Sequence, residues 1–170
     1  MIETTVVLLE AGLPSTAVAP IEILSTAGVL WNELRGEEAD RRFRVQTASL
    51  DGGPVGVAVP LTLEPDGAID EMEQDLVVVS AGSGDLEAEL ERNAALVPWL
   101  RDQRERGVLI AGICTGVPLL AEAGLLDGGS ATTHWAVVDA CRRRYRDVRW
   151  EPERSVTERD GVFTSGGVYS

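Results

Sequence analysis

Apolar and polar positions follow two rhythms along this chain. Unbroken apolar or β-branched runs at Thr5–Leu9, Leu76–Val79 and Val108–Ala111 read as strands buried on both faces. Between the first two, Ala17, Ile21, Leu24, Gly28 and Trp31 fall at helical spacing and predict one apolar helix face, entered through a Gly12-Leu13-Pro14 turn with Ser15 or Thr16 as its cap. Glu37–Arg42 is a charged loop. Phe43–Leu50 alternates as a strand, and Val55–Val59 follows the Asp51-Gly52-Gly53-Pro54 turn as part of a small hairpin. Residues 86–106 carry a helical pattern with a break near Pro98. Thr115–Ala123 predicts a helix closed by Gly124, and Trp135–Tyr145 a further amphipathic helix. Val156–Arg159 and Val162–Ser165 flank Asp160-Gly161, a strong hairpin signal. Strands separated by helices predict an α/β fold, a three-layer sandwich with a mostly parallel sheet and helices on both faces. Ligands in such sheets bind beyond the carboxyl ends of the strands, where the loops at 12–16, 80–84 and 112–116 fall.

Composition narrows the function classes. At 170 residues the chain fits one domain whose core needs no disulfide or metal. A net charge of -13 repels phosphate backbones, so this chain by itself is expected to bind nucleic acid poorly. All 15 basic residues are arginine, which excludes Schiff-base lysine chemistry and a P-loop lysine. Cys114 and Cys141 are too few for a disulfide framework and fit a reducing, cytoplasmic setting. Met1–Leu9 lacks the features of a signal peptide, and no apolar run reaches membrane-spanning length, so no membrane partner is expected. One histidine, with neither CxxC nor HExxH spacing, predicts no metal site, and no cofactor motif is present. The arginines at 142–144, 146 and 149 form the only basic cluster and read as a solvated helix face. The four tryptophans are expected in the core or at an interface, with Trp135 a candidate pocket wall, and Cys141 as a buried packing group.

Candidate chemistry concentrates at Gly112-Ile113-Cys114-Thr115-Gly116. This G-x-C-x-G pattern directly follows an apolar strand and opens a helix, the setting of a nucleophile elbow with cysteine in place of serine. The glycines serve a turn too tight for a Cβ on either side, and the central side chain projects above the sheet at a helix start. There the helix dipole lowers a thiol pKa, and backbone N–H groups can hold an anion. The sole histidine, His134, lies 20 residues on, and spacing alone does not tie it to Cys114.

The stretch GICTGVPLLAEAGLLDGGSATTHW, residues 112–135, resembles the signature of the ThiJ/PfpI superfamily, part of the class I glutamine-amidotransferase-like proteins. It is most similar to the branch that forms the N-terminal half of GlxA-like AraC-type transcriptional regulators. Pro20-Ile21-Glu22-Ile23-Leu24 is similar to that family's first helix, Asp75–Gly82 to its third strand and oxyanion loop, and Phe163–Gly167 to its late turn. The resemblance implies a flavodoxin-like sandwich, a nucleophilic Cys114 with His134 nearby, and backbone amides of Gly82 and Thr115 facing the pocket. Catalytic members, isonitrile hydratases among them, place an acid beside the cysteine, four residues before the first-helix proline. Here that position is Thr16, which cannot act as a general base.

The expected function is therefore the small-molecule-sensing and dimerising domain of an AraC-type regulator, with an unnamed ligand. The homodimer is expected to meet near Ile21–Trp31, and DNA would be reached only through a separate C-terminal module. Beyond the Thr164–Tyr169 turn the family continues into a last helix, so residues 1–170 are expected to be a single domain without it. Two alternatives stand: a free-standing cysteine enzyme, such as an isonitrile-hydratase-like lyase or an amidase, and a dimerisation module with a vestigial pocket.

Overall fold

The structure, a computed structural model, describes residues 1–167. In chain order the elements are β1 (Ile2–Val7), α1 (Ser15–Thr26), α2 (Leu30–Leu34), β2 (Phe43–Ser49), β3 (Val55–Gly56), β4 (Thr62–Leu63) and β5 (Gly67–Ala68). There follow β6 (Leu76–Val79), α3 (Leu86–Arg92), α4 (Leu96–Glu105), β7 (Leu109–Ile113), a 3₁₀ turn at Cys114–Gly116 and α5 (Val117–Glu122). The last are β8 (Ser130–Ala131), α6 (Trp135–Arg144), β9 (Arg149–Trp150), β10 (Val156–Arg159) and β11 (Val162–Ser165).

Seven strands form the central sheet in the order β10-β11-β7-β6-β1-β2-β5, parallel throughout except for the β10–β11 hairpin. Period-two alternation sends the strand side chains into two cores. Val7, Val77, Val79 and Ile110 meet α3, α4, α5 and α6 on one face, while Val6, Leu8 and Val78 meet Ala17, Ile21 and Leu24 of α1 on the other. Burial on both faces explains why β1 and β6 read as near-continuous apolar runs. At the hairpin, Asp160 and Gly161 both have positive φ, 50° and 77°, as a type I′ turn requires.

Several boundaries differ from the sequence reading, each for a tertiary reason. The first helix ends at Thr26, and Trp31 belongs to the separate α2, where it is 67% exposed. Gly28 takes φ 74° there, and a side chain on it would meet the Asp40 carbonyl oxygen at 2.0 Å. Neither Ser15 nor Thr16 caps α1: the cap residue is Pro14, without a side-chain bond, because the Thr16 hydroxyl is spent elsewhere. The break in the 86–106 segment falls at 93–95. Pro98 sits in the first turn of α4, where its missing N–H costs no helical bond. Val55–Gly56 pairs with Thr62–Leu63, so the small hairpin is wider than expected. Trp99 and Trp150 are buried, whereas Trp135, like Trp31, is exposed. Cys141 packs in the larger core, and desolvation pushes its thiol up to about 12, which makes it inert.

The end of the late turn, at 168–170, lies outside the described residues. Among the described residues no helix is long and apolar enough to cross a membrane, and no group of three or more His, Cys, Asp or Glu could hold a metal ion. Three arginines of the cluster are paired: Arg142 with Asp139, Arg144 with Glu122 and Glu87, and Arg149 with Glu151.

Candidate functional site

The site sits where the sheet order reverses. β1 is flanked by β2 and β6, and the crevice beyond their carboxyl ends is the usual ligand position in a doubly wound sheet. β7 delivers the chain there in extended form, with Ile113 at φ -116° and ψ 129°, and Cys114 then turns to φ 57°. A non-glycine residue in this region stores backbone strain of about 1–3 kcal/mol and persists only where the surroundings over-determine it. The determinants are visible. A Cβ on Gly116 would meet the Ser80 carbonyl oxygen at 2.1 Å, and one on Gly112 would meet Leu120 Cδ2 at 2.9 Å. Backbone at the end of β6 thus requires glycine at 116, whereas a side chain at 112 would press on the movable end of Leu120 and on Val117 Cα at 3.2 Å. Thr133 Oγ1 donates to the Cys114 carbonyl at 2.7 Å and fixes the strained peptide from above.

Cys114, Thr115, His134 and Gly82 line one cavity of about 230 Å³ together with Leu13 and Ser83. Thr16 does not line it. Its hydroxyl donates to the Leu13 carbonyl at 2.7 Å and accepts the Ala81 N–H at 2.9 Å. Thr115 Oγ1 donates to the Gly82 carbonyl at 3.0 Å. Thr16 and Thr115 therefore tether consecutive residues of the loop after β6, and this loop is one wall of the cavity. The Gly82 N–H has no hydrogen-bond partner among the described residues. Ala11, itself at φ 57°, and Ala58 complete the wall from loops that no motif marked.

His134 precedes α6 and caps it: Nδ1 accepts the Ala136 N–H at 3.3 Å. A ring nitrogen that accepts cannot carry the proton, so the neutral ring bears it on Nε2 and is a hydrogen-bond donor there. Its ring stands 5.1 Å from that of Trp135. Among the described residues lining the cavity none is aspartate, glutamate, arginine or lysine. The chemistry available is a cysteine at a helix start, one imidazole donor and unspent backbone amide, on otherwise small or apolar walls.

A parallel α/β sandwich with a positive-φ cysteine between strand and helix defines the class of cysteine-elbow domains. The family model described as the DJ-1/PfpI family matches residues 15–170, and the chain belongs to that family. It is 40% identical over 135 residues to the HTH-type transcriptional regulator CdhR of Pseudomonas aeruginosa, a match over 75% of this chain and 38% of that protein. The isonitrile hydratase of Pseudomonas putida is 31% identical over 117 residues, covering 68% of this chain and 49% of the enzyme. The crystal structure of an AraC family transcriptional regulator from Pseudomonas putida superposes with a TM-score of 0.69 at 24% identity, over 98% of this chain and 84% of that one. This chain thus spans well under half the length of the regulator CdhR.

Proposed function

We propose that this domain is the small-molecule-sensing and dimerising part of an AraC-type transcriptional regulator, and that the Cys114 cavity receives the ligand. The observation that carries the reading is the state of the site: the elbow borders a cavity, no carboxylate lines that cavity among the described residues, and one nitrogen of the imidazole there is committed to capping α6. Thr16 is a loop tether, and His134 offers a donor because its other nitrogen caps α6. The similarity to CdhR supports the regulatory context. DNA contact would come from a separate module of the full-length protein, and the setting is cytoplasmic. The similarity to isonitrile hydratase keeps a cysteine enzyme as the second reading.

A thermal-shift screen tests ligand binding. Small metabolites bearing carboxylate, amide or carbonyl groups are presented to wild type and to Cys114→Trp, which fills the cavity. At 100 times Kd a ligand stabilises by about 2.7 kcal/mol, or roughly 5–10 °C for a chain of this size. At least one compound is expected to raise Tm in wild type only. No shift with any compound, or equal shifts in both proteins, contradicts the reading.

Assembly is the second element. Val18, Ile23, Leu30, Trp31 and Leu34 on α1 and α2 are all exposed, Trp31 by 67% and Leu34 by 74%. Such apolar clustering marks interaction surfaces. We place the twofold interface here. Between α1 and the sheet, a separate apolar groove of about 430 Å³ is lined by Ile23, Leu24, Leu76, Val78, Ala111 and Ile113. Gly167 borders it as well. Light scattering at micromolar concentration is expected to give a dimer for wild type and a monomer for Trp31→Glu. A monomeric wild type contradicts the assembly.

A further inference from the structure

Glu89 belongs to the charged segment Leu86–Arg92, yet it is only 2% exposed. Its carboxyl group lies against the loop that walls the Cys114 cavity. Oε2 accepts from the Ser83 N–H at 2.8 Å and from the Ser83 hydroxyl at 2.9 Å, and Oε1 accepts from Asn93 Nδ2 at 2.6 Å. Arg92 approaches Oε2 at 3.6 Å and also pairs with Glu10. A Cβ on Gly82 would collide with Glu89 Cδ at 2.1 Å, so only glycine lets the carboxyl group come this close.

Three side chains from three elements thus hold three consecutive loop residues. Thr16 of α1 holds Ala81, Thr115 of the elbow holds Gly82, and Glu89 of α3 holds Ser83. We infer that Glu89 is a positioning residue for the Cys114 cavity, fixing the Gly82–Ser83 wall and drawing both Ser83 donors out of the set a ligand can use. The Gly82 N–H is left as the wall's unspent donor. A buried group that accepts from three donors leaves them all unsatisfied when it is removed, so the loop loses its definition before the core does.

This inference rests on the cavity being the ligand site, but its test needs no ligand. Cys114, 2% exposed, reacts when the wall moves, and Cys141, 0% exposed on α6, reports on opening of the core. Iodoacetamide alkylation of each cysteine is followed by peptide mass spectrometry in wild type, Glu89→Leu and Glu89→Gln, with hydrogen exchange at the Ser83 amide as a second readout. In Glu89→Leu the Cys114 rate is expected to rise by roughly fivefold or more, the population change that accompanies loss of one hydrogen bond. Ser83 exchange rises with it, and Cys141 is unchanged. Glu89→Gln keeps an acceptor for Ser83 and stays near the wild-type rate. An unchanged or lower Cys114 rate in Glu89→Leu, or a rise shared equally by Cys141, overturns the assignment. If Glu89→Leu fails to fold, Ser83→Ala, which removes one of the two loop bonds, decides: a rise at Cys114 alone supports the role and an unchanged rate overturns it. Failure of the ligand reading itself appears separately, as an empty wild-type thermal-shift screen.

Discussion

Gly116→Ala is expected to destabilise the domain by about 3 kcal/mol, lowering Tm by roughly 6–12 °C. Local preference points the other way. Gly116 has φ -80° and ψ -20°, which alanine adopts freely, and in a helical setting alanine is favoured over glycine by about 1 kcal/mol. Packing reverses the sign. The new methyl carbon would stand 2.1 Å from the Ser80 carbonyl oxygen and 3.2 Å from that of Val79. These are backbone atoms at the end of a central strand, paired to β1 and β7, and they cannot retreat without breaking the ladder. Gly36→Ala is the control: it strains a φ of 72° but has no atom within 4 Å, and should cost only about 1 kcal/mol. Chemical denaturation of both variants measures the difference. Gly116→Ala as stable as wild type would show that the elbow tolerates a Cβ and that its glycines have another purpose.

The fold was legible where one local rule acted alone. Leu76–Val79 is apolar at every position because both sheet faces are covered, and Asp160-Gly161 names its own turn. The elbow was legible because the G-x-C-x-G spacing records a steric demand. Reading failed where a distant residue decided. The Thr16 hydroxyl, which looked like a cap, is taken by Ala81, 65 residues away. The first helix stops short of Trp31 because the chain turns at Gly28 against Asp40. Ala11 and Ala58 have no chemistry of their own and join the cavity only through loop placement. Glu89 left a faint signal: it lies three residues after Leu86 and next to Leu90, on the inward stripe of α3, but an acid among Glu87 and Glu91 reads as solvated.

The second large effect is an absence of turnover. Hydration of an isonitrile, hydrolysis of an amide and conversion of an α-oxoaldehyde and water to a 2-hydroxy acid through a thiohemiacetal all need a group to take or return a proton, typically worth about 10²–10⁴-fold in rate. Thr16 stands where the family resemblance leads one to expect an acid in a catalytic member, and its hydroxyl donates to Leu13 and accepts from Ala81. His134 is the remaining candidate, and with Nδ1 accepting from Ala136 it turns a donor, not a base, to its surroundings. Cys114 therefore keeps the strained elbow geometry of a nucleophile, and no aspartate or glutamate is among the described residues lining its cavity. On the proposed sensing role, this pocket is expected to bind a ligand without transforming it.

The most direct measurement of this claim is the rate at which wild type and Cys114→Ser consume isonitriles, primary amides and α-oxoaldehydes at neutral pH. The account predicts that both proteins are indistinguishable from the uncatalysed reaction on every substrate; turnover by wild type that disappears in Cys114→Ser contradicts it.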